Sequence, residues 1–369
     1  MYGYNYGINA DYDITKVDAD KVPPHQVLCG GFPCQAFSKA GKQAGVNDTR
    51  GTLFFEIERI LRHHHPQFIL LENVRNLVSH DHGHTWATIT SVLKDIGYRL
   101  TATPLLLSPH QFGVPQLRER VYIAGVYDPK NVNTPINLEF DGLLHKDELS
   151  IYPILEQGVQ ENTISAQEAD ALEVWDEFLH GINTRSIGFP VNIDYFQYKG
   201  DTKDLPIWKR QHIGRNISLY QSNKTFIDKW LKKHDYLKRF TPTQRKLEWQ
   251  CADAIDTIFE GIIQMRPSGI RVKKPTVFPA LVAMVQIPII GRHRRRLTPR
   301  ECARLQSFPE DFKLCANEHQ AFKQFGNSVN VKVLTEIFKR LVDTYGPIRH
   351  INCDNSSGNY PAQLHHTLF

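Results

Sequence analysis

Cys34 ends the run Gly30-Gly31-Phe32-Pro33-Cys34, directly after the short apolar stretch Gln26-Val27-Leu28-Cys29. That stretch reads as a buried strand, and a thiol at the C-terminal end of a strand stands where open α/β sheets bind ligands. Gly30 and Gly31 let the backbone pass close to a bound molecule, and Pro33 stiffens the residue ahead of the thiol. The chemistry open to Cys34 there is nucleophilic attack, although a lone cysteine is by type more often a small buried hydrophobe. Cys29 and Cys34 lack the Cys-x-x-Cys spacing of a redox pair. Glu72 ends the apolar run Phe68-Ile69-Leu70-Leu71, and a carboxyl desolvated at such a tip has a raised pKa and can hold or donate a proton. A capping or salt-bridged glutamate fits the same position. Gln116, Arg118 and Arg120 alternate in Gln116-Leu117-Arg118-Glu119-Arg120, so on one strand they would share a face. Surface salt bridging is the ordinary role of such arginines.

Several elements must position these groups. Continuous apolar strands such as 68–74 belong to buried parallel sheets. Helical spacing covers 47–61 (Phe54, Phe55, Ile57, Ile60, Leu61), with Asp48 or Thr49 as candidate caps. Trp86–Ile96 reads as a helix stopped by Gly97. Tyr98–Leu107 and Arg120–Val126 read as two antiparallel strands joined through a turn with Gly113 and Pro115. Residues 129–290 mix aromatic and charged residues, with a charged helix expected over Lys224–Leu247, and are too many for a connecting loop. Thr298, Pro299 and Glu301 spell a capped helix start. Asn327 and Ser328 are candidate caps for an amphipathic helix carrying Val333, Leu334, Ile337, Phe338 and Leu341.

With 369 residues, 41% hydrophobic and 22% charged, the chain has globular composition and a prior of two domains. Six cysteines without paired spacing fit a reducing compartment, and no signal peptide or membrane-length apolar run is present, so a cytoplasmic location is expected. His63-His64-His65 and His80-Asp81-His82-Gly83-His84 lack the ligand set of a closed metal site, and no metal is expected. The net charge of +5 is modest, but its cations gather late, in Arg292–Arg296 and in Arg266, Arg271, Lys273 and Lys274. That pattern suits either a phosphate-facing patch or a solvated basic surface.

Gly31-Phe32-Pro33-Cys34-Gln35, Glu72-Asn73-Val74, Gln116-x-Arg118-x-Arg120 and Gly326-Asn327-Ser328-Val329, in this order, resemble the motifs of the DNA cytosine-5 methyltransferases of restriction-modification systems. The resemblance runs from Asp13-Ile14-Thr15, which is similar to the family's adenine-contacting pair, to about residue 343. It implies a Rossmann-like, S-adenosylmethionine-dependent α/β sheet interrupted by a target-recognition domain. The corresponding divisions are 1–150 for the first catalytic part, 151–290 for target recognition, 291–320 for a hinge and helix packing, and 321–369 for the catalytic return.

The resemblance also assigns roles. Cys34 is the nucleophile, Glu72 and Arg120 face the target cytosine, and Arg118 supports Arg120. Asp13, Ile14, Gly31, Pro33, Leu53, Asn327 and Ser328 meet the cofactor. Gln35 and Ser38 belong to a loop that closes on double-stranded DNA; inside the interval that the resemblance gives to target recognition, the turn residues and cations of 265–276 place Arg266, Arg271 and Lys273 for contact with DNA backbone and base edges. The family carries a glycine-rich turn ahead of the Asp13 position. Tyr2-Gly3-Tyr4-Asn5-Tyr6-Gly7 has no apolar strand before it and does not substitute, so the expectation is an N-terminally truncated sheet, explained by a second polypeptide that supplies the cofactor turn, by a misassigned start codon or by a decayed fragment. The rivals are a non-catalytic DNA-binding subunit, a decayed fragment and an RNA cytosine methyltransferase.

Overall fold

A computed structural model describes residues 2–7, 12–33, 52–283 and 286–349. The chain divides into two compact units. The smaller comprises Asp11–Leu106, Arg120–Glu139 and Ile337–Phe369, and the larger Met1–Ala10, Leu107–Glu119 and Phe140–Glu336.

The smaller unit is built on a mixed sheet. Strand β1 (Val27–Gly31) leads to helix α1 (Thr52–His64) and strand β2 (Phe68–Val74), which lies parallel to β1 with Gly31 opposite Glu72. Parallel neighbours need such a crossover, and a helix supplies it. Helix α2 (His84–Ile96) follows, ended by Gly97 in the left-handed region at φ 115°, whose N–H reaches the carbonyls of Leu93 and Lys94. Strand β3 (Arg120–Tyr127) then inserts antiparallel to β2, from Phe68 opposite Val126 to Val74 opposite Arg120. Tyr98–Leu100 pairs antiparallel with β3 on its other side. Among the described residues β1 has one strand neighbour and forms the sheet edge.

The core of this unit explains why β2 reads as an unbroken apolar run. Phe68, Ile69, Leu70 and Leu71 are all buried, and Leu71 and Ile69 pack with Phe54 and Leu61 of α1 and Ile89 and Leu93 of α2. Each such side chain contributes about 1.5–3 kcal/mol by leaving water. This burial fixes β2 in register, and so fixes the position of Glu72 at its end.

The larger unit has its own six-stranded sheet, mostly antiparallel. Helix α3 (Ala166–Gly181) opens with Ser165 and Glu168 capping one another's backbone N–H. Strands β4 (Lys246–Trp249), β5 (Ile262–Arg266) and β6 (Gly269–Lys273) follow, with β6 between the other two. One sheet face (Leu247, Trp249, Ile263, Ile270, Val272) packs on Trp175 and Phe178 of α3 and on Trp230. On the other face, Ile262 and Ile290 join a second core with Cys302, Leu305 and Phe325. Helices α4 (Pro299–Leu305), α5 (Glu318–Asn327) and α6 (Val331–Tyr345) complete the chain order, and the division between the units falls inside α6.

Three local expectations are corrected. The helix expected over Lys224–Leu247 stops at Lys233, because Leu247 and Trp249 alternate toward the core as part of β4. Gln116–Arg120 is not one strand: Gln116 and Leu117 pair with Phe278 and Pro279, and a new strand begins at Arg120. Asn327 and Ser328 end α5, whereas α6 is capped by Asn330, whose Oδ1 accepts the N–H of Val333 at 3.1 Å. The capping box of Thr298 and Glu301 on α4 is present as expected.

Candidate active site

The register of β1, β2 and β3 brings the chemistry of the smaller unit together. Gly31, at the end of β1, lies opposite Glu72, and Glu72 lies opposite Tyr122. Arg120 is two residues from Tyr122 on β3, so its side chain shares the face on which Glu72 stands. There Arg120 Nε meets Glu72 Oε1 at 2.9 Å, with the two side chains 18% and 16% exposed. A half-buried carboxyl and guanidinium, held side by side at a strand end, present an acceptor next to a donor. That is the complement of a planar heterocycle edge carrying a carbonyl beside a ring nitrogen and an amine.

Asn73 organises the exit from β1. It is buried, donates from Nδ2 to the carbonyl of Phe32 at 2.7 Å, and accepts the N–H of Val74 at its Oδ1. Phe32 in turn packs its ring against Phe54 at a centroid distance of 5.4 Å. The residue two before Cys34 is therefore held by the residue after Glu72. Sequence reasoning quoted Asn73 within the Glu72-Asn73-Val74 motif but gave it no role, although a lone amide beside an apolar run is a signal, since a buried amide must be paired. Gly31 and Pro33 are exposed, while Cys34, Gln35 and Ser38 lie outside the described residues.

Arg118 sits in the larger unit and has a different occupation. It is 4% exposed, and its Nη1 donates to the carbonyl of Leu281 at 2.7 Å. Nη2 donates to the carbonyls of Gly326 and Ser328 at 3.1 and 2.9 Å. The two segments it joins run backbone to backbone: a Cβ on Gly326 would fall 2.6 Å from the carbonyl carbon of Val282. Asn327 is exposed, and Ser328 donates its hydroxyl to the carbonyl of Phe325 at 2.9 Å.

Asp13 and Ile14 belong to a short turn of the smaller unit, tied to α1 by Arg59. That guanidinium donates to the carbonyls of Ile14 and Val17 at 3.1 and 2.8 Å. Asp13 Oδ1 accepts the N–H and hydroxyl of Thr15 at 3.1 and 2.7 Å, and these hydrogen bonds hold its pKa below the usual carboxylate value. Leu53 is half-buried at the start of α1.

The cations divide sharply. Arg294 pairs with Glu173 at 2.7 Å and lies over the Phe259 ring, Arg295 makes a fully buried bidentate pair with Glu301 at 2.7 and 2.9 Å, and Arg296 pairs with Glu168 at 2.5 Å. Within the run 292–296 Arg295 is buried and Arg296 half-buried, while Arg292, His293 and Arg294 are exposed, so the run is a surface whose last three arginines each have a carboxylate partner. Arg271 meets Glu248 at 2.7 Å, Arg266 is half-buried with a buried, unpartnered Nη1, and Lys273 is half-buried, which lowers its pKa.

Against this geometry, residues 1–343 match the family model described as C-5 cytosine-specific DNA methylase. The chain belongs to that family. It is 33% identical to the Type II methyltransferase M.AluI of Cellulosimicrobium cellulans, over 86% of this chain and 79% of that one. Identity is 34% with M.BanI of Aneurinibacillus aneurinilyticus, over 92% and 85% of the two chains. With M.SsoII of Shigella sonnei it is 32%, over 93% and 70%. The family makes the chain a cytosine-5 DNA methyltransferase on a mixed α/β sheet, with DNA as its substrate. Among the described residues no helix is long and apolar enough to cross a membrane.

The donor set of the smaller unit suits the adenosine end of a nucleoside cofactor. Asp13 offers an exposed carboxylate to an exocyclic amine, with Lys16 3.7 Å from its Oδ2, and Ile14 and Leu53 offer half-buried apolar surface.

Proposed function

We propose that this chain methylates C5 of cytosine at a specific sequence in duplex DNA, as the modification arm of a restriction-modification system, through a covalent adduct with Cys34. What supports this reading is the Glu72–Arg120 pair at the mouth of β1 and β2, 2.9 Å apart and one register step from the strand that leads to Cys34.

The target atom is hidden in the base stack, so the nucleotide must be flipped into the site. Arg120 takes the cytosine O2, where negative charge collects, and Glu72 takes N3 and the exocyclic amine. The Cys34 thiolate then attacks C6, forming the Sγ–C6 bond and moving electron density onto C5. S-adenosylmethionine supplies an electrophilic methyl group for C5 when bound, with Asp13, Ile14, Gly31, Pro33, Leu53, Asn327 and Ser328 as the residues that hold it. Water takes the C5 proton, the electron pair left behind re-forms the C5–C6 double bond, and the C6–Sγ bond breaks to return the thiolate. Arg118 acts as a positioning residue, holding the segment of Asn327 and Ser328. Gln35 and Ser38 close over the duplex, a gating step, while Arg266, Arg271 and Lys273 contact it.

The test is methyl transfer to duplex DNA by the purified chain, with modified positions mapped. The expected result is 5-methylcytosine at one fixed sequence. DNA binding indifferent to S-adenosylhomocysteine, with no 5-methylcytosine, would instead identify a non-catalytic binding subunit.

A further inference from the structure

In the smaller unit the residues assigned to the adenosine end of the cofactor come from two pieces of chain, Asp13 and Ile14 on a short turn and Leu53 at the start of α1. The turn, Ile14–Lys16, opens with Asp13 accepting the N–H of Thr15 and closes at Val17. Asp13, Thr15 and Lys16 are exposed, and Ile14 and Val17 are only half-buried. Apolar burial therefore anchors this turn weakly, and hydrogen bonds must set its place.

Arg59 of α1 supplies those bonds. Its Nη2 donates to the carbonyls of Ile14 at 3.1 Å and Val17 at 2.8 Å, across 45 and 42 residues of sequence. Carbonyls at the end of a helical turn favour such a cation. The guanidinium is itself aimed: Glu56 accepts from Nε at 2.8 Å and lies 2.7 Å from Nη2. A planar guanidinium clasped through two of its nitrogens keeps one direction. Leu53, Glu56 and Arg59 follow one another at three-residue steps, so each neighbours the next on the helix surface. The helix that presents Leu53 thus also grips the turn that presents Asp13 and Ile14. Further along, His64 Nε2 donates to the carbonyl of Ala19 at 2.8 Å and ties down the chain that follows the turn.

We propose that Arg59, aimed by Glu56, is a positioning residue for the cofactor. It acts through Asp13 and Ile14, holding them at the spacing from Leu53 that an adenosine spans. This rests on the reading that Asp13, Ile14 and Leu53 hold S-adenosylmethionine, and adds to it the group that keeps their two segments together. Without Arg59 the turn samples other placements, and the apparent affinity falls with the fraction that remains competent.

The test is the affinity of the full chain for S-adenosylhomocysteine by titration calorimetry, with hydrogen exchange of residues 12–22 read by mass spectrometry. Arg59→Met should raise Kd by about tenfold or more, the mark of a competent fraction below about a tenth. Residues 12–22 should exchange faster in this variant than in the parent, both free of ligand. KM for S-adenosylmethionine should rise with Kd while kcat at saturating cofactor stays within about twofold, the pattern of an interaction made equally in ground and transition states. Arg62→Met removes a 2.8 Å pair with Glu58 on the same helix and should leave Kd unchanged, which controls for damage to α1. Arg59→Lys keeps the charge without the planar fork and should fall between parent and Arg59→Met. It decides the matter if the urea midpoint shows that Arg59→Met does not fold. A parental Kd in folded Arg59→Met, or in Arg59→Lys where it decides, would overturn the positioning role and leave the cofactor reading standing. An equal loss in Arg62→Met would do the same. A parent chain that binds no S-adenosylhomocysteine would overturn the cofactor reading and the positioning role together.

Discussion

Arg120 Nε lies 2.9 Å from Glu72 Oε1, on adjacent antiparallel strands and one pleat apart in register. The relationship follows from strand geometry: Glu72 ends an apolar strand anchored by Phe68–Leu71, and Arg120 begins the strand that returns beside it. Cytosine O2 and N3 are neighbouring atoms, so an acid and a guanidinium this close can engage both without rearranging the sheet. Glu72→Gln keeps the shape but removes the charge and the acidic proton. Turnover should fall about 10²–10³-fold, the scale of losing one donor to developing charge, while the Kd for DNA changes far less. Equal losses in single-turnover rate and in Kd would assign Glu72 to binding.

Arg118 and Arg120, two residues apart, should respond oppositely. Arg118 satisfies three carbonyls from within the larger unit, and an unsatisfied buried acceptor costs about 1–3 kcal/mol. Arg118→Met should lower stability by about 3 kcal/mol or more, read as a shift of the urea midpoint at constant slope. Arg120→Lys should leave that midpoint nearly unchanged and remove most of the turnover. A stable Arg118→Met chain would show that these hydrogen bonds are dispensable.

The buried Arg295–Glu301 pair, 2% and 0% exposed, supports the start of α4, where Glu301 also accepts the N–H groups of Thr298 and Glu156 at 2.8 and 2.9 Å. Removing one partner leaves a buried charge, so Arg295→Met should cost about 3–5 kcal/mol. Alanine at Arg294 or Arg296 removes only a surface or half-buried pair and should cost about 0–1 kcal/mol. Neither alanine should change DNA affinity by more than about twofold, the scatter expected of pairs this weak. A tenfold loss of affinity at Arg294 or Arg296 would return the basic run to the DNA interface.

The thiols give a prediction in pH. Burial pushes Cys251 up to about 12 and Cys302 well above its ordinary value, where Glu301 adds to the effect. Both groups keep their protons in the folded chain while the unfolded chain loses them above about pH 8.5. The stability they contribute is complete below that pH and falls as pH rises toward 12, since the folded state then binds more protons than the unfolded. In the folded protein at pH 8, iodoacetamide should leave Cys251 and Cys302 unmodified, as mass mapping of the alkylated peptides can show. Labelling of either at the rate of a free thiol would contradict their burial.

Much of the smaller unit was legible because its signals are local. An apolar run closed by Glu72, an amphipathic repeat closed by Gly97 and a cysteine after two glycines each report their own element. Failure came where long-range pairing overrides local pattern. The alternation Gln116-x-Arg118-x-Arg120 suggested one face, but Gln116 is drawn into pairing with Phe278 and the strand breaks before Arg120. The carboxylate partners of Arg294, Arg295 and Arg296, which are Glu173, Glu301 and Glu168, were not legible because they are distant in sequence or sit in a capping box. Asn330 was missed as a cap because Asn327 and Ser328 offered the same chemistry three residues earlier.

The central claim is that Cys34 bonds to a cytosine which Glu72 and Arg120 hold. Duplex DNA carrying 5-fluorocytosine at the methylated position lacks the C5 proton whose loss would release the enzyme. With S-adenosylmethionine, the parent chain should form a denaturation-resistant complex, and Cys34→Ser should form none. An undiminished complex with Cys34→Ser would contradict the account.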